Sequence, residues 1–227
     1  MFKLFEKLVN KNVLYYPGCM TKFVLKDKEE NYKKILEKLE IDFMMLKNEE
    51  FCCGSPVLNA GYSKDFENLR DKNLALFKKY GISKIITNCP GCAQMFKEHY
   101  GLKAEHISET IYNNRKKLKR KFSDEEFTYH DPCHLGRYLK IYEEPREVME
   151  LRGIKIVEFD SNRENALCCG AGGGLRNNIP SLSNQIAKNT LSKCKTEKLV
   201  TSCPMCYYHF KENSKGKLIM EFSEVFV

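Results

Sequence analysis

Ten of the eleven cysteines in this 227-residue chain form two sets of five with nearly the same spacing. Each set has a Cys-Cys-Gly triplet about midway between one upstream cysteine and a downstream Cys-Pro-x-Cys segment. Matched cysteines lie 114 or 116 positions apart, so the pattern indicates an internal duplication. The first set is Cys19, Cys52, Cys53, Cys89 and Cys92, and the second set is Cys133, Cys168, Cys169, Cys203 and Cys206.

Several kinds of chemistry use clustered thiols. The odd number of cysteines in each set, five, helps to distinguish between these kinds of chemistry. Disulfides would leave one cysteine of each set unpaired, and a zinc ion takes four ligands in a closed tetrahedron. The segment Cys89-Pro90-Gly91-Cys92 could act alone as a redox dithiol, but three cysteines would then have no role. An iron–sulfur centre binds through thiolates, and several iron atoms can use five sulfurs, one of them bridging. This interpretation accounts for both complete sets, while zinc in one half remains open.

The residues beside the cysteines suit such a centre. Adjacent side chains on a strand point to opposite faces, so vicinal cysteines can face one centre only across a sharp turn, or by reaching different metal atoms. Gly54 and Gly170 supply the backbone freedom for that turn, and we predict them as cofactor-binding positions. Pro90 and Pro204 suit the first position of a helix, where backbone N–H groups and the helix dipole stabilise thiolate sulfur.

The composition restricts the class of protein. The formal net charge of +8 indicates either an ordinary solvated lysine-rich surface or a surface that attracts an acidic electron carrier or an anionic substrate. The sequence has no nucleic-acid-binding motif, so we expect no nucleic-acid partner. No apolar run approaches the ~20 residues of a membrane span, and residues 1–10 lack the core of a signal peptide. We therefore expect a cytoplasmic protein with reduced cysteines.

The elements that position the cysteines alternate between strands and helices. Apolar patterns predict strands at residues 12–16, 42–46, 84–87, 127–130, 154–159 and 198–201. They predict helices at residues 29–40, 65–80, 93–100, 144–152 and 179–193, and a last helix that opens at Cys203-Pro204-Met205-Cys206. In the helix at 179–193, Leu182 and Ile186 are expected to face the core.

This alternation predicts an α/β fold of two duplicated Rossmann-like units with parallel sheets. We expect a first cysteine-rich domain at residues 1–121 and a second at residues 122–227. Ligands of parallel sheets gather at the carboxyl ends of the strands, and every cysteine of the two sets follows a predicted strand.

Two copies of Cys-x(32–34)-Cys-Cys-Gly-x(32–34)-Cys-Pro-x-Cys resemble the CCG-domain family, and the resemblance covers nearly the whole chain. Residues 130–137 (HDPCHLGR) and 168–174 (CCGAGGG) look especially similar to it. The family includes the B-type and D-type components of heterodisulfide reductase, thiol:fumarate reductase, and parts of lactate, glycolate and glycerol-3-phosphate oxidising systems. The resemblance implies that the ten cysteines hold two noncubane [4Fe-4S] clusters near the domain interface.

Further residues near the cysteines are candidates for binding and catalysis. Gly172 and Gly173 are predicted to let the backbone approach the cluster, and a phosphate-binding loop is the alternative. Arg137 and Arg176 are candidate ligands for a carboxylate, phosphate or sulfonate. His134 is a candidate proton donor to a leaving thiolate, although a hydrogen bond to sulfur or simple packing would also explain it. Cys194 belongs to neither set and is predicted to be a buried apolar residue late in a helix.

The resemblance, together with the two complete cysteine sets, implies an oxidoreductase subunit that reduces a disulfide of heterodisulfide type at paired clusters. The first alternative is an electron-relay iron–sulfur subunit of a lactate, glycolate or glycerol-3-phosphate dehydrogenase complex. The second is a zinc- or cluster-binding protein with a structural or assembly role. The sequence has no ferredoxin-type cysteine motif and no flavin or nicotinamide fingerprint. We therefore expect electrons from ferredoxin-like or flavoprotein subunits, and a small anionic disulfide or thiol as substrate.

Overall fold

The computed structural model describes residues 12–47, 49–121 and 125–227. Two expectations fall on residues outside these ranges: the missing signal-peptide core in residues 1–10, and the start of the second domain at residue 122. None of the helices in the described ranges has the length and apolar character that crossing a bilayer requires.

The first half of the chain alternates strands with helices. Its elements are β1 (Asn12–Tyr15), α1 (Gly18–Phe23), α2 (Lys26–Lys38), α3 (Ser55–Asn59), α4 (Ser63–Lys79), β2 (Ile82–Thr87), α5 (Pro90–Glu98), β3 (Ala104–His106), α6 (Ile107–Asn113) and a 3₁₀ turn (Arg115–Lys117). Helix α4 buries Phe66, Asn73 and Phe77, which share one face at helical spacing.

The second half follows a similar order. Its elements are β4 (Glu126–His130), a π-helical turn (His134–Tyr138), α7 (Glu143–Leu151), β5 (Lys155–Ile156), a 3₁₀ turn (Arg163–Asn165), α8 (Leu175–Asn178), α9 (Pro180–Ser192), β6 (Lys198–Thr201), α10 (Pro204–Asn213), β7 (Leu218–Glu221) and a 3₁₀ turn (Phe222–Val225). The short elements α1, α3, α6, α8, β3 and β7 and the π-helical turn were not predicted from the sequence.

The strand order of the two sheets confirms the predicted duplication. The first sheet has the order β1-β2-β3 and the second has the order β5-β4-β6-β7, with all neighbours parallel. An isolated parallel bridge joins Leu14 of β1 to Met44, at the position that β5 takes beside β4. The fold is therefore α/β, with two units of the same topology.

Two of the predicted strands are shorter than expected. Residues 42–46 contribute only the bridging Met44, and residues 154–159 contribute only Lys155–Ile156. Both segments lie at the edge of their sheet, where a strand pairs on one side and edge strands are commonly short. The prediction of a full strand is wrong in both places.

The buried face of α9 also differs from the prediction. Leu182 is 42% exposed, whereas Ser183 and Ala187 are fully buried. Ser183 turns inward because its hydroxyl donates a hydrogen bond of 2.8 Å to the carbonyl of Gly170. Cys194 is buried as predicted, but it lies beyond the end of α9 rather than inside the helix.

A central apolar core contains side chains from both halves. Tyr15, Leu36 and Ile107 from the first half pack in it with Phe127 and Val148 from the second. Two further apolar cores lie one in each half, apart from Leu25, which joins the core of the second half. The division at residue 121 remains a proposal, and the proposed domains are in close contact through the central core.

Buried polar contacts also join the halves. The hydroxyl of Tyr32 donates a hydrogen bond of 2.5 Å to Glu221, which is fully buried at the end of β7. Glu221 also accepts from the backbone N–H of Ser223 at 2.8 Å. Lys28 forms an ion pair of 2.7 Å with Glu224. Burial raises the pKa of Glu221 to about 7, even though these hydrogen bonds oppose the rise.

This raised pKa predicts a pH-dependent stability. An unfolded chain releases the Glu221 proton near pH ~4.3, whereas the folded protein keeps it up to about pH 7. The folded state binds more protons in this window, so the free energy of unfolding decreases as the pH rises through it. We expect Glu221→Gln to remove about 2–3 kcal/mol of the decrease between pH 5 and pH 8, measured by denaturant titration.

Glu67→Gln is the matched control, because Glu67 is exposed on α4. It should keep the wild-type dependence on pH. A Glu221→Gln variant with that same dependence would contradict the assignment.

Candidate metal centres

Three loops that follow parallel strands assemble each cysteine set. In the first half, Cys19 lies in α1 after β1, and Cys89 is the N-cap of α5 after β2. The vicinal pair Cys52 and Cys53 follows the Met44 bridge and precedes α3. The second half places its cysteines in the same way after β4, β5 and β6. Because the carboxyl ends of parallel strands share one edge of a sheet, the three loops of each half converge.

The five thiols of the first set form a continuous line of contacts. The Sγ atoms of Cys53 and Cys92 are 3.3 Å apart. The thiol of Cys52 is hydrogen-bonded to those of Cys19 and Cys53, and the thiol of Cys89 is hydrogen-bonded to that of Cys92. The line therefore runs Cys19, Cys52, Cys53, Cys92, Cys89.

The second set repeats this line. The Sγ atoms of Cys169 and Cys206 are 3.2 Å apart. The thiol of Cys168 is hydrogen-bonded to those of Cys133 and Cys169, and Cys203 is hydrogen-bonded to Cys206. The structure thus brings together all five predicted residues in each half. The two sets differ in exposure, since the exposed thiol is Cys19 in the first and Cys168 in the second.

Gly54 and Gly170 make the turns that keep the vicinal cysteines in line. Their φ angles are +87° and +86°, a region that L side chains rarely adopt. Each also donates its backbone N–H to the first cysteine of the pair, at 3.5 Å to Cys52 and 3.3 Å to Cys168. A Cβ on Gly54 would lie 2.6 Å from the Phe66 ring, and one on Gly170 would lie 2.7 Å from the Ser183 carbonyl oxygen.

Hydrogen bonding concentrates negative charge on specific sulfurs. The hydrogen bond with Cys19 lowers the pKa of Cys52, and the hydrogen bond with Cys133 lowers the pKa of Cys168. The same hydrogen bonds, together with burial, raise the pKa of Cys19 and of Cys133. The first cysteine of each vicinal pair is therefore the preferred thiolate of its line.

The N-terminus of α5 stabilises a further thiolate. A hydrogen bond with the Cys92 thiol lowers the pKa of Cys89, and backbone N–H groups of Cys92 and Gly91 lower it further. Pro90 occupies the start of the helix, where a residue without an N–H loses no helical hydrogen bond. This arrangement agrees with the prediction that Pro90 opens a helix whose backbone N–H groups stabilise a thiolate.

Side chains of the helices hold the backbone of the vicinal pairs. Asn73 donates a hydrogen bond of 3.0 Å to the Cys52 carbonyl, and the hydroxyl of Tyr100 donates one of 3.1 Å to the Cys53 carbonyl. In the second half, Thr190 donates a hydrogen bond of 3.0 Å to the Cys168 carbonyl. Sequence reasoning missed these residues, although the spacing of Asn73 from Phe66 and Phe77 placed it on a buried helical face.

A buried arginine fixes the segment before Cys133. Arg146 binds both carboxylate oxygens of Asp131 at 2.7 and 2.8 Å, and both of Glu158 at 2.6 and 2.9 Å. Its guanidinium also lies 4.8 Å from the ring centre of Tyr129. Bidentate pairs of this kind define orientation as well as distance. Asp131 is two residues before Cys133, so the clamp sets where the loop leaves β4.

His134 links the second cysteine set to the first. Its Nδ1 lies 2.6 Å from Oε1 of Gln94 on α5, and its ring stacks on Tyr138 at 5.1 Å. A Cβ placed on Gly91, inside the Cys-Pro-x-Cys segment of the first half, would lie 3.9 Å from the same Nδ1. Burial lowers the pKa of His134. The loop of Cys133 therefore contacts the helix that carries Cys92.

The two candidate arginines have different surroundings. Arg137 is exposed and donates one hydrogen bond of 3.3 Å to the Ala166 carbonyl, two residues before the exposed Cys168. Arg176 forms an ion pair of 2.7 Å with Glu212 and lies over the ring of Tyr208 at 4.8 Å. Arg137 is thus placed beside the second cysteine set, whereas the charge of Arg176 is already paired.

Gly172 and Gly173 border open space, since a Cβ on either would meet no atom within 4 Å. The backbone of these two residues, which follow Ala171 in the loop after Cys168 and Cys169, is therefore accessible. His130 is buried and pairs with Thr201 at 3.2 Å and the Leu167 carbonyl at 3.0 Å. Its contacts fix the loop before Cys168.

The donor sets fit a thiolate-bound centre that contains several metal atoms. In the described ranges, no three His, Cys, Asp or Glu side chains converge on one point as ligands of a single ion would. The thiols form lines instead, and a centre of several iron atoms takes thiolate ligands at several points. The N–H donors at Gly54 and Gly170 and at the start of α5 would stabilise the deprotonated sulfurs that such a centre needs.

The environment of the glycines predicts a contrast between neighbouring substitutions. Gly170→Ala combines a positive φ with a close contact to a backbone oxygen, so we expect a loss of about 2–4 kcal/mol in the free energy of unfolding. Gly172→Ala introduces no contact and should change it by less than about 0.5 kcal/mol. Denaturant titration of the two variants beside the wild type measures the difference, and equal values would contradict the packing described for Gly170.

Comparison with known proteins identifies the family. The CCG family, described as a cysteine-rich domain, matches residues 13–97 and again residues 127–211. An uncharacterised iron–sulfur protein of Methanocaldococcus jannaschii is 33% identical over 92% of this chain and 42% of its own length. A component of the dihydromethanophenazine:CoB–CoM heterodisulfide reductase of Methanosarcina acetivorans is 33% identical over 86% of this chain and 52% of its own length. An EtfAB:quinone oxidoreductase of Syntrophomonas wolfei is 30% identical over 94% of this chain and 33% of its own length.

The chain thus spans about half, or less, of the length of these curated relatives. Among solved structures, glutamate racemase RacE1 of Bacillus anthracis superposes with a TM-score of 0.42 at 12% identity, covering 96% of this chain and 79% of its own. That similarity is too low to support an inference. The two family matches cover most of the sequence, each around one five-thiol line, and the chain belongs to the CCG cysteine-rich domain family.

Proposed function

We propose that this chain is an iron–sulfur redox subunit that reduces a disulfide at two adjacent noncubane [4Fe-4S] clusters, each held by one five-cysteine set. The observation that carries the proposal is the presence of two matched lines of five thiols whose loops meet where His134 contacts Gln94. The names of two relatives, an iron–sulfur protein and a heterodisulfide reductase component, support it.

The chain's own residues would hold and tune each cluster. The five thiolates are the ligands, with Cys52 and Cys168 the sulfurs most readily deprotonated in their lines. Backbone N–H groups of Gly54, Gly170 and the first turn of α5 place partial positive charge beside the sulfurs. When bound, the clusters would supply single electrons to the two sulfurs of the disulfide. Zinc in place of one cluster remains the alternative for either half.

The overall reaction consumes two electrons and two protons, breaks one S–S bond and forms two thiols. We propose that the electrons come from a ferredoxin-like protein or a flavoprotein in the same complex. The relative in Methanosarcina acetivorans is named as one part of a larger reductase, which supports the proposal that a separate protein supplies the electrons.

His134 is the proposed proton donor of the site. Its Nδ1–H donates to the Gln94 carbonyl oxygen, so Nε2 is the nitrogen left to take up and release a proton. The stacked Tyr138 ring holds the imidazole plane. The π-helical turn that contains both residues also presents Arg137, and π-helical turns are frequent at functional sites.

Arg137 is the proposed binding residue for an anionic group of the substrate. It is exposed, and its hydrogen bond to the Ala166 carbonyl places it beside the loop of exposed Cys168. A carboxylate or sulfonate suits the planar guanidinium, which can donate two parallel hydrogen bonds. Arg176 is a second candidate, but a substrate would have to displace Glu212 from it.

The second candidate function is electron relay within a dehydrogenase complex, without a disulfide substrate. The relative named as an EtfAB:quinone oxidoreductase favours it, because that name contains no disulfide chemistry. The two functions need the same cysteine ligands, but only the first needs a substrate site at Arg137.

Metal analysis tests the ligand assignment. Anaerobically purified protein should hold about eight irons and about eight sulfides per chain, the content of two four-iron clusters. Cys53→Ala and Cys169→Ala each remove one ligand from the middle of one line, and each should lower the iron content by about half. Cys194→Ala is the matched control, because this buried thiol donates to the Thr196 carbonyl at 3.3 Å and belongs to neither line.

Iron content and the visible absorption spectrum measure these outcomes. Two zinc ions per chain without sulfide would end the iron–sulfur proposal in favour of a structural role. Unchanged iron in Cys53→Ala and Cys169→Ala would show that five-thiolate ligation is wrong.

Steady-state kinetics test the role of Arg137. For a disulfide that carries carboxylates or sulfonates, Arg137→Ala should raise KM about tenfold to hundredfold with little change in kcat, because it removes a charged hydrogen bond. A neutral disulfide should show no such change. Arg70→Ala is the control, since Arg70 pairs with Asp71 on α4. An equal KM for wild type and Arg137→Ala with the anionic disulfide would refute the assignment.

A further inference from the structure

His209 is a fully buried histidine on α10, one helical turn after Cys206. Its Nε2 lies 3.0 Å from Ser183 Oγ and 3.2 Å from the Ser183 carbonyl oxygen on α9. Ser183 is also fully buried, and its hydroxyl donates a hydrogen bond of 2.8 Å to the Gly170 carbonyl. Side chains of two helices thus form a chain of hydrogen bonds that ends on the turn after Cys169.

The direction of each hydrogen bond in this chain follows from its last acceptor. A carbonyl oxygen can only accept, so the single hydroxyl proton of Ser183 goes to Gly170. Ser183 Oγ can then only accept from His209, which places a proton on Nε2 of the imidazole. The Nε2–H of His209 therefore orients the hydroxyl that holds the Gly170 carbonyl.

Gly170 is held at both of its backbone polar groups. Its N–H donates to the Cys168 sulfur at 3.3 Å, and its carbonyl accepts from Ser183. Its φ of +86° lies in the left-handed region. Because glycine allows a wide range of φ and ψ, these two hydrogen bonds restrict a turn that its own side chain cannot restrict.

The first half holds the matching glycine with backbone instead of side chains. Gly54 is the N-cap of α3, and its carbonyl accepts the N–H of Leu58 at 3.0 Å. In the second half the N-cap of α8 is Gly174, so the hydrogen bonds of that helix begin beyond Gly170. Ser183 thus supplies the bond that a helix supplies in the first half.

The side chains at the matching positions of the first half are apolar. Counted from the start of the Cys-Pro-x-Cys segments, Met95 matches His209. Phe66 matches Ser183, because each is the residue that a Cβ on the turn glycine of its half would meet. Met95 and Phe66 are both buried in the apolar core of the first half. The same topology therefore forms without the polar pair.

The imidazole of His209 is also unfavourable as a packing group. Its Nδ1 is buried and has no hydrogen-bond partner in the part of the chain that the structure describes. A buried polar atom without a partner destabilises the folded state. A methionine avoids this penalty, as Met95 does in the first half. Stability therefore does not explain why a histidine occupies this position.

We infer that His209 is a positioning residue for the second cysteine set. By orienting the Ser183 hydroxyl it fixes the Gly170 turn, and this turn sets the directions of Cys168 and Cys169. Describing this set as a metal centre rests on the proposed function, whereas the chain of hydrogen bonds does not depend on it.

Three substitutions separate the hydrogen bond from the packing. His209→Met introduces the residue of the first half, which fills the position but donates no hydrogen bond. His209→Gln places an amide N–H near the position of Nε2 and should restore the bond to Ser183. Ser183→Ala removes the hydroxyl itself. Amide hydrogen–deuterium exchange of the anaerobically purified protein, followed by mass spectrometry, measures each segment separately.

In His209→Met we expect exchange about five- to tenfold faster at residues 168–172, because about one net hydrogen bond is lost. Residues 52–58 and residues 184–192 should keep the wild-type exchange, which distinguishes a local effect on the turn from a general loosening of the fold. His209→Gln should keep the wild-type exchange in all three segments.

A double variant tests whether His209 acts through Ser183. His209→Met combined with Ser183→Ala should exchange no faster at residues 168–172 than Ser183→Ala alone, since both residues act on one carbonyl. His99→Met is the matched control, because His99 is exposed at the end of α5 and packs on Phe66. It should leave residues 168–172 unchanged.

Wild-type exchange at residues 168–172 in His209→Met, or additive effects in the double variant, would overturn the inference. If His209→Met does not fold, His209→Asn takes its place, because the shorter amide cannot reach Ser183, and wild-type exchange in it would refute the inference equally. Iron and sulfide are measured on the same samples. Their absence from the wild type would refute the proposed function, while the exchange comparison would still test the role of His209.

Discussion

The main constraint on this fold is that each half brings five sulfur atoms from three separate loops into one line. Thiols repel each other as soon as they ionise, so such a line requires donors beside it and a scaffold that prevents the loops from separating. Parallel sheets provide both, because their strands end at one edge and the helices that follow begin there with unpaired N–H groups. The left-handed Gly54 and Gly170 are the local solution at the vicinal pairs, where an ordinary strand would direct the two sulfurs apart.

The second level of organisation places the two lines side by side. Each half has its own apolar core, and a third core contains Tyr15 and Phe127 together, so the two halves pack against each other. Polar contacts across the same junction are more specific, since His134 reaches Gln94 and Tyr32 reaches Glu221. The contact between the halves is thus both a packed interface and the place where the two cysteine loops meet.

Sequence reasoning predicted the residues whose position depends on local pattern. The repeat, the parallel α/β units and the convergence of the cysteines follow from spacing and from strand–helix alternation. It failed where tertiary contacts determine the local structure. The segment around Met44 lies at a sheet edge and pairs through one residue only. On α9 the buried position is occupied by Ser183, which donates a hydrogen bond to the Gly170 carbonyl, and Leu182 is exposed instead. Asn73 was missed for the same reason, because its partner Cys52 is distant in sequence and a lone polar residue gives no pattern.

The central core has a thermodynamic consequence for a duplicated protein. Ligand binding to the native form adds its free energy to that of the whole cooperative unit. Because α6 and α7 pack in one core across the repeats, a metal centre bound at one of the proposed sites would also stabilise the scaffold of the other. The two proposed sites are therefore linked through the stability of one native fold, and each would gain from occupancy of the other to the extent that the unoccupied chain unfolds.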